Sequence, residues 1–181
     1  MAGSQPAAVH EAGHCVIGAS LGITPASVSL RDGGGLTVWR WDGRPSLHKR
    51  LMILCAGDLA ETLHGFADRA WASSDDDSQA VTAIGMARRA SDNSVGDPWS
   101  APEGRAAHAE ARAILISRRA QVAALAEQLM IYRHLSGAEV VRFLASLPRS
   151  VASRAATADY SLSLARRRLT LDAAEPREVT A

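Results

Sequence analysis

His10-Glu11-Ala12-Gly13-His14 is the stretch of this chain whose residue types and spacing could assemble a reaction centre. Its neighbours Ala7, Ala8, Val9, Val16, Ile17, Ala19 and Leu21 are apolar, so the segment reads as a buried helix. On a helix, positions i and i+4 face the same way with side chains roughly 5–6 Å apart. Two imidazoles so placed can close on one tetrahedral zinc. Glu11 is offset around the helix, aimed at a water polarised by the metal, and can take that water's proton as it attacks a carbonyl. The competing reading is a helix with two unrelated histidines. A His-Glu-x-x-His match arises by chance in on the order of one in a few hundred chains of this length.

The helix that must carry this pattern has start and stop signals. Ser4-Gln5-Pro6 offers a cap residue and a proline in the first turn. Leu21-Gly22-Ile23 followed by Thr24-Pro25 has the glycine, the apolar residue after it and the proline that commonly close a helix. Gly13 costs roughly 1 kcal/mol relative to alanine inside a helix, which suggests that something packs against the backbone between the two histidines.

The chain has 181 residues, 47% hydrophobic and 22% charged, enough for one good-sized core. A formal net charge of +1 gives no reason to expect nucleic acid or an anionic membrane as partner. No run approaches the roughly 18 apolar residues of a membrane span, and the charged-then-apolar order of a signal peptide is missing. A soluble, cytoplasmic protein is expected. The two cysteines, Cys15 and Cys55, each sit in an apolar helical pattern, as buried hydrophobes of a reducing compartment do. Cys15 follows His14 directly and points about 100° away from it, so it is not expected to share the metal.

Further along, Val28-Ser29-Leu30 and Leu36-Thr37-Val38-Trp39-Arg40-Trp41 read as a hairpin around Asp32-Gly33-Gly34-Gly35. Alternation puts Leu36 and Val38, with Arg40 if the strand continues, on one face and Thr37, Trp39 and Trp41 on the other. A hairpin edge is a place where an extended peptide can add as a strand, although a hairpin that only covers the core is an equal reading. A helical pattern runs from Leu47 to Gly65, and Ser73-Ser74-Asp75-Asp76-Asp77 reads as an acidic cap leading into a third helix. Ala90 to Glu103 is expected as a loop, Arg105 to Ile131 as one long helix, and Ala138 to Leu147 as a short helix ended by Pro148. Residues 148–181 are expected as a helical, basic extension with Arg166-Arg167-Arg168, then a polar tail.

Two histidines do not complete a catalytic zinc site, which usually has three protein ligands and one open position. Asp58, Glu61, the Asp75-Asp76-Asp77 run, His48, His64, His108 and His134 are all candidates for the third, and chemistry alone leaves the choice open. The order of motifs resembles the peptidase domain of the FtsH-type membrane AAA protease family. Val9-His10-Glu11-Ala12-Gly13-His14 comes first. Arg50-Leu51-Met52-Ile53-Leu54-Cys55-Ala56-Gly57-Asp58-Leu59-Ala60-Glu61 is similar to the family's helix with a Gly-Gly-Arg-Ala-Ala-Glu segment. Ala72-Ser73-Ser74-Asp75-Asp76-Asp77 stands where the family has Ala-Ser-Asn-Asp. Leu125-Ala126-Glu127-Gln128-Leu129 and Leu135-Ser136-Gly137-Ala138-Glu139 resemble its closing helix, turn and short helix.

The resemblance implies a mainly α, zincin-like helical metallopeptidase domain with a small β-hairpin over about residues 1–147, with zinc as cofactor. It implies an aspartate of the third motif as the remaining ligand. Asp76 is chosen because Ala80 then follows four residues on, with Asp77 next because it aligns Ile84 better, and Asp75 third. Glu61 is the fallback, as ligand or as the partner of a ligating imidazole. Family members carry membrane segments and an ATPase module ahead of this domain, whereas this sequence opens on the peptidase helix. Asp32-Gly33-Gly34-Gly35 lacks the lysine of a phosphate-binding loop. The expected function is therefore an ATP-independent zinc metalloendopeptidase with Glu11 as general base, acting on polypeptides or peptides. The alternative is a weak or inactive zinc-site module that regulates a protein by binding it. Substrate preference and oligomeric state are not legible.

Overall fold

A computed structural model describes residues 4–32, 34–41, 43–66, 74–88 and 96–148, all within one compact unit, Met1–Arg149. The expected basic extension beyond Pro148, with Arg166, Arg167 and Arg168, lies outside the described residues, as do Ser73 and positions 90–95 of the expected loop.

Helix α1, Ser4–Ser20, is buried continuously from Ala8 to Ile17, polar His10, Glu11 and His14 included, so it takes the central place in the fold. It closes as the sequence suggested. Gly22 has φ +72°, and the Ile23 N–H reaches back to the Gly18 carbonyl at 2.8 Å, the six-to-one bond of a Schellman ending.

Strands β1, Pro25–Arg31, and β2, Gly34–Trp39, form the expected hairpin, but Arg31 pairs with Gly34, so the turn is only two residues and both later glycines belong to the strand. Trp39 turns inward and covers Gly18 of α1, where a Cβ would overlap its ring. Leu36 and Val38 face outward, 39% and 43% exposed. A third strand, β3 (His134–Ser136), lies where the sequence suggests only a turn between two helices. It pairs with the other side of β1, giving an antiparallel sheet of order β2-β1-β3 in which β2 is an edge.

Two expected helices are each divided. The pattern of 47–65 forms α2, Leu47–Leu54, capped by the Ser46 hydroxyl, and α3, Ala56–Leu63. Cys55, at ψ −6°, marks the corner between them. The pattern of 105–131 forms α5, Pro102–Ser117, and α6, Arg119–Tyr132, which part at Arg118, where φ is −111° and ψ is 20°. Both breaks allow the two halves to bury separate apolar stripes: Leu115 of α5 and Val122, Leu125 and Leu129 of α6 are all fully buried. Between them in the chain, α4 spans Ser74–Arg88, and a short 3-10 turn at Pro98–Ser100 occupies part of the expected loop. Helix α7, Gly137–Ser146, starts with a reciprocal capping box between Ser136 and Glu139. The buried Gln121 amide ties α6 to the end of α7 by donating to the Pro148 carbonyl at 3.1 Å.

The described chain is thus mainly helical with a small three-stranded antiparallel sheet. None of the described helices is long and apolar enough to cross a membrane.

Candidate metal centre

His10 and His14 lie one turn apart on α1, with ring centroids 4.7 Å from each other, and both are nearly fully buried. Each ring is held at Nδ1. The His14 Nδ1–H donates to the Ile53 carbonyl at 2.7 Å. Ile53 is next to last in α2, where a helix leaves its carbonyls without intrahelical partners, so the corner at Cys55 is what makes this acceptor available. His10 Nδ1–H donates to the buried Glu61 carboxylate on α3 at 2.8 Å. With both Nδ1 atoms engaged, the two Nε2 atoms are the ones left for a metal, and both aim at the same oxygen. Asp76 Oδ2 lies 3.3 Å from His10 Nε2 and 3.2 Å from His14 Nε2.

Glycines make room for this approach. A Cβ on Gly13 would stand 2.5 Å from the Ala56 carbonyl oxygen, so the unbranched backbone is what lets α1 and α3 meet. A Cβ on Gly57 would run into the His10 ring, and one on Gly35 would stand 2.6 Å from Glu11 Oε1. Glu11 itself is fixed from the sheet side, where the Thr37 hydroxyl of β2 donates to Oε2 at 2.5 Å.

The electrostatics follow from crowding three carboxylates onto two rings. Burial pushes the His10 pKa down, but its bonds to Asp76 and Glu61 and the charge of Glu11 outweigh this and raise it to about 10. Burial pushes the Asp76 carboxyl up, yet the two imidazoles hold it well below the usual carboxylate range. Asp58, 3.7 Å from His10 Nδ1, is raised by burial and by its acidic neighbours. The metal-free site therefore draws in a positive charge where three acceptor atoms converge.

His10, His14 and Asp76 thus form one group able to hold a metal ion, and His10, Asp58 and Glu61 form another. The second shares His10 but uses the Nδ1 that already donates to Glu61, which puts Glu61 behind the first group rather than in it. The other candidates are elsewhere. Asp77 accepts from the Trp99 indole N–H at 2.6 Å, and Asp75 is exposed on the cleft rim. His48 pairs with Glu110 at the surface, His64 caps the end of α3, His108 stands beside Trp99, and His134 is exposed on β3.

No family model matches this chain, and no curated protein matches it. What the centre can do is therefore read from its own atoms. With zinc bonds of about 2.0–2.2 Å to nitrogen and carboxylate oxygen, neighbouring donors of a tetrahedral site stand about 3.3 Å apart. The two separations to Asp76 Oδ2 have that value. Two neutral imidazoles and one carboxylate are a donor set suited to zinc, and three protein donors leave a fourth position. His10, His14 and Asp76 line a cleft of about 780 Å³ whose walls also include Glu11, Thr37, Trp39 and Arg50. The residues present fit the ion.

Thr37, the Ile53 carbonyl and Gly35 were not foreseen as parts of the site. A threonine in a strand and a backbone carbonyl carry no sequence signal of their own. Gly57 did leave one, as a second glycine inside a helical pattern, like Gly13. Cys15 and Cys55 are free, buried thiols. Burial raises both, Cys55 to about 12, so neither is a nucleophile or a ready metal ligand.

Proposed function

We propose that this chain is a zinc-dependent endopeptidase with a zincin-like site of FtsH type. The observation that carries the reading is the convergence of His10 Nε2, His14 Nε2 and Asp76 Oδ2 at tetrahedral donor spacing beside Glu11. The order of motifs in the sequence supports it independently. Zinc held by these three residues supplies a Lewis acid that polarises the scissile carbonyl and acidifies water.

The chain's own residues do the rest. Glu11 accepts the proton of the attacking water on its carboxylate and returns it to the leaving amine. Thr37, through its hydrogen bond, stops that carboxylate from rotating toward the metal ligands. The outer edge of β2 borders the cleft and pairs with no strand among the described residues, so an extended substrate can add there with its scissile bond beside Glu11. Glu61 and the Ile53 carbonyl keep both imidazoles in the one tautomer that presents Nε2. The two buried free thiols suit a reducing compartment such as the cytoplasm.

The test uses the full chain purified without a histidine tag. Elemental analysis is expected to find near-stoichiometric zinc, and an unfolded protein such as reduced casein is expected to be cleaved. Glu11→Gln is expected to keep the zinc and the fold and to lose cleavage by at least about 100-fold. Full cleavage by that variant would refute the role of Glu11. Zinc without turnover in the wild-type chain would instead favour a protein-binding regulator.

A further inference from the structure

The cleft beside Glu11 does not end at the metal site. A second cleft of about 800 Å³ meets it along Trp41, Arg44 and Pro45. Its walls differ in charge from those of the first. The metal cleft carries Glu11, Glu61, Asp75 and Asp76 against Arg44, which the two clefts share, and Arg50. The second carries Arg40, Arg44 and Lys49 and, among its described lining residues, no acid. Glu139, next to Ala138 on the opposite wall, is taken up by the Ser136 N–H and hydroxyl at 2.7 and 2.6 Å. In sequence, the segment 40–50 holds Arg40, Arg44, Lys49 and Arg50 against the single acid Asp42.

The position of this basic wall gives it a use. Arg40 directly follows the last residue of β2, so a peptide paired along the β2 edge and continued past Trp39 runs into it. We propose that the cleft lined by Arg40, Arg44 and Lys49 is a substrate subsite that selects polypeptides bearing acidic residues on one side of the scissile bond. The proposal rests on the peptidase reading for the location of that bond. The charge argument itself concerns binding alone. Exposed ion pairs are individually weak, and three together correspond to about tenfold in affinity. The effect depends on ionic strength, because charges at the surface are screened within about 8 Å at physiological salt.

The experiment measures binding and cleavage separately. Fluorescent peptides of one sequence, differing only in a flanking block rich in Asp and Glu, in Ser or in Lys, are titrated into the full-length, zinc-loaded Glu11→Gln protein and followed by anisotropy. The acidic block is expected to bind about tenfold more tightly than the Ser block at low salt when placed on one side, with no gain on the other. The gain should disappear at high salt and in a variant that also carries R40A, R44A and K49A. These three side chains are on the exposed surface, so the variant is expected to melt as its parent does. Equal affinities, a gain on both sides, or a gain that survives the triple substitution would overturn the subsite. The same peptides given to the wild-type chain keep the two readings apart. Acid-dependent binding with no hydrolysis removes the peptidase reading and leaves the subsite, whereas hydrolysis without acid preference does the reverse.

Discussion

Asp75, Asp76 and Asp77 are identical side chains in one helical turn, and α4 turns them in three directions. Asp75 faces solvent, Asp76 meets both imidazoles, and Asp77 holds the Trp99 indole. Asp76→Asn is therefore expected to weaken zinc binding by more than about 100-fold, since loss of a mere partner of a ligand already costs about 10–100-fold. Asp77→Asn should leave zinc affinity intact and lose about 1 kcal/mol of stability. A chelator competition titration with thermal melting separates the two, and the ranking fails if Asp77→Asn is the variant that releases the metal. The crowding of acids around His10 also gives the metal-free chain a pH signature. Its pKa is raised from 6.5 in the unfolded chain to about 10 in the fold, so the folded state binds the extra proton between those values. The stability from this group is complete below about pH 6.5 and is lost as pH climbs through about 10. The melting temperature of metal-free protein should fall from pH 7 to pH 10, and the zinc-loaded protein should not show that fall. A flat metal-free profile would contradict the assignment.

At the level of elements, the meeting of α1 with α3 is set by Gly13. Helix propensity alone predicts that Gly13→Ala stabilises α1 by about 1 kcal/mol. Packing opposes it, because the new Cβ meets the Ala56 carbonyl oxygen and the Ala60 Cβ, and overpacking costs about 1–3 kcal/mol. The contact is with backbone that cannot rotate away, so the variant is expected to be less stable in urea denaturation and to bind zinc more weakly. A more stable variant would show that the helices are free to part. This junction also shows what could be read in advance. The apolar run and glycine stop of α1, the place of α7, the hairpin, and the acidic start of α4 were all legible, because each has a local cause in residue type. The corners at Cys55 and Arg118 were not, since neither has a glycine or proline and both breaks arise from what the two halves pack against. Strand β3 is three residues long with a single inward side chain, Leu135, too short to show a period. The same division holds in the site: the histidines could be nominated from spacing and Asp76 only from the resemblance to a known family, whereas Thr37 and the Ile53 carbonyl become visible only when β2 and α2 are folded against α1.

Across the whole molecule, a metal at His10, His14 and Asp76 would tie α1 to α4, a helix that otherwise packs chiefly on α2 and the 3-10 turn. Zinc removal is thus expected to act unevenly. Hydrogen exchange after chelation should quicken along Ser74–Arg88 while α1 and α6, which pack closely on each other, keep their protection. Uniform loss of protection would mean that the fold as a whole, and not α4, depends on the ion. The sheet bears on a different matter, the order in which the chain can fold. Strand β1 pairs with its neighbour β2 across a two-residue turn, but on its other side Ser27 pairs with Ser136, almost the whole described chain away. Hairpins form in about 1–10 μs, whereas closing so long a loop is entropically costly and slow. The strand that borders the cleft is therefore in place early, and the far side of the sheet closes only after the helices between have condensed. During that interval β2 keeps a free edge with no completed fold behind it, so the chain is exposed to pairing with other unfolded chains until its own helices have packed.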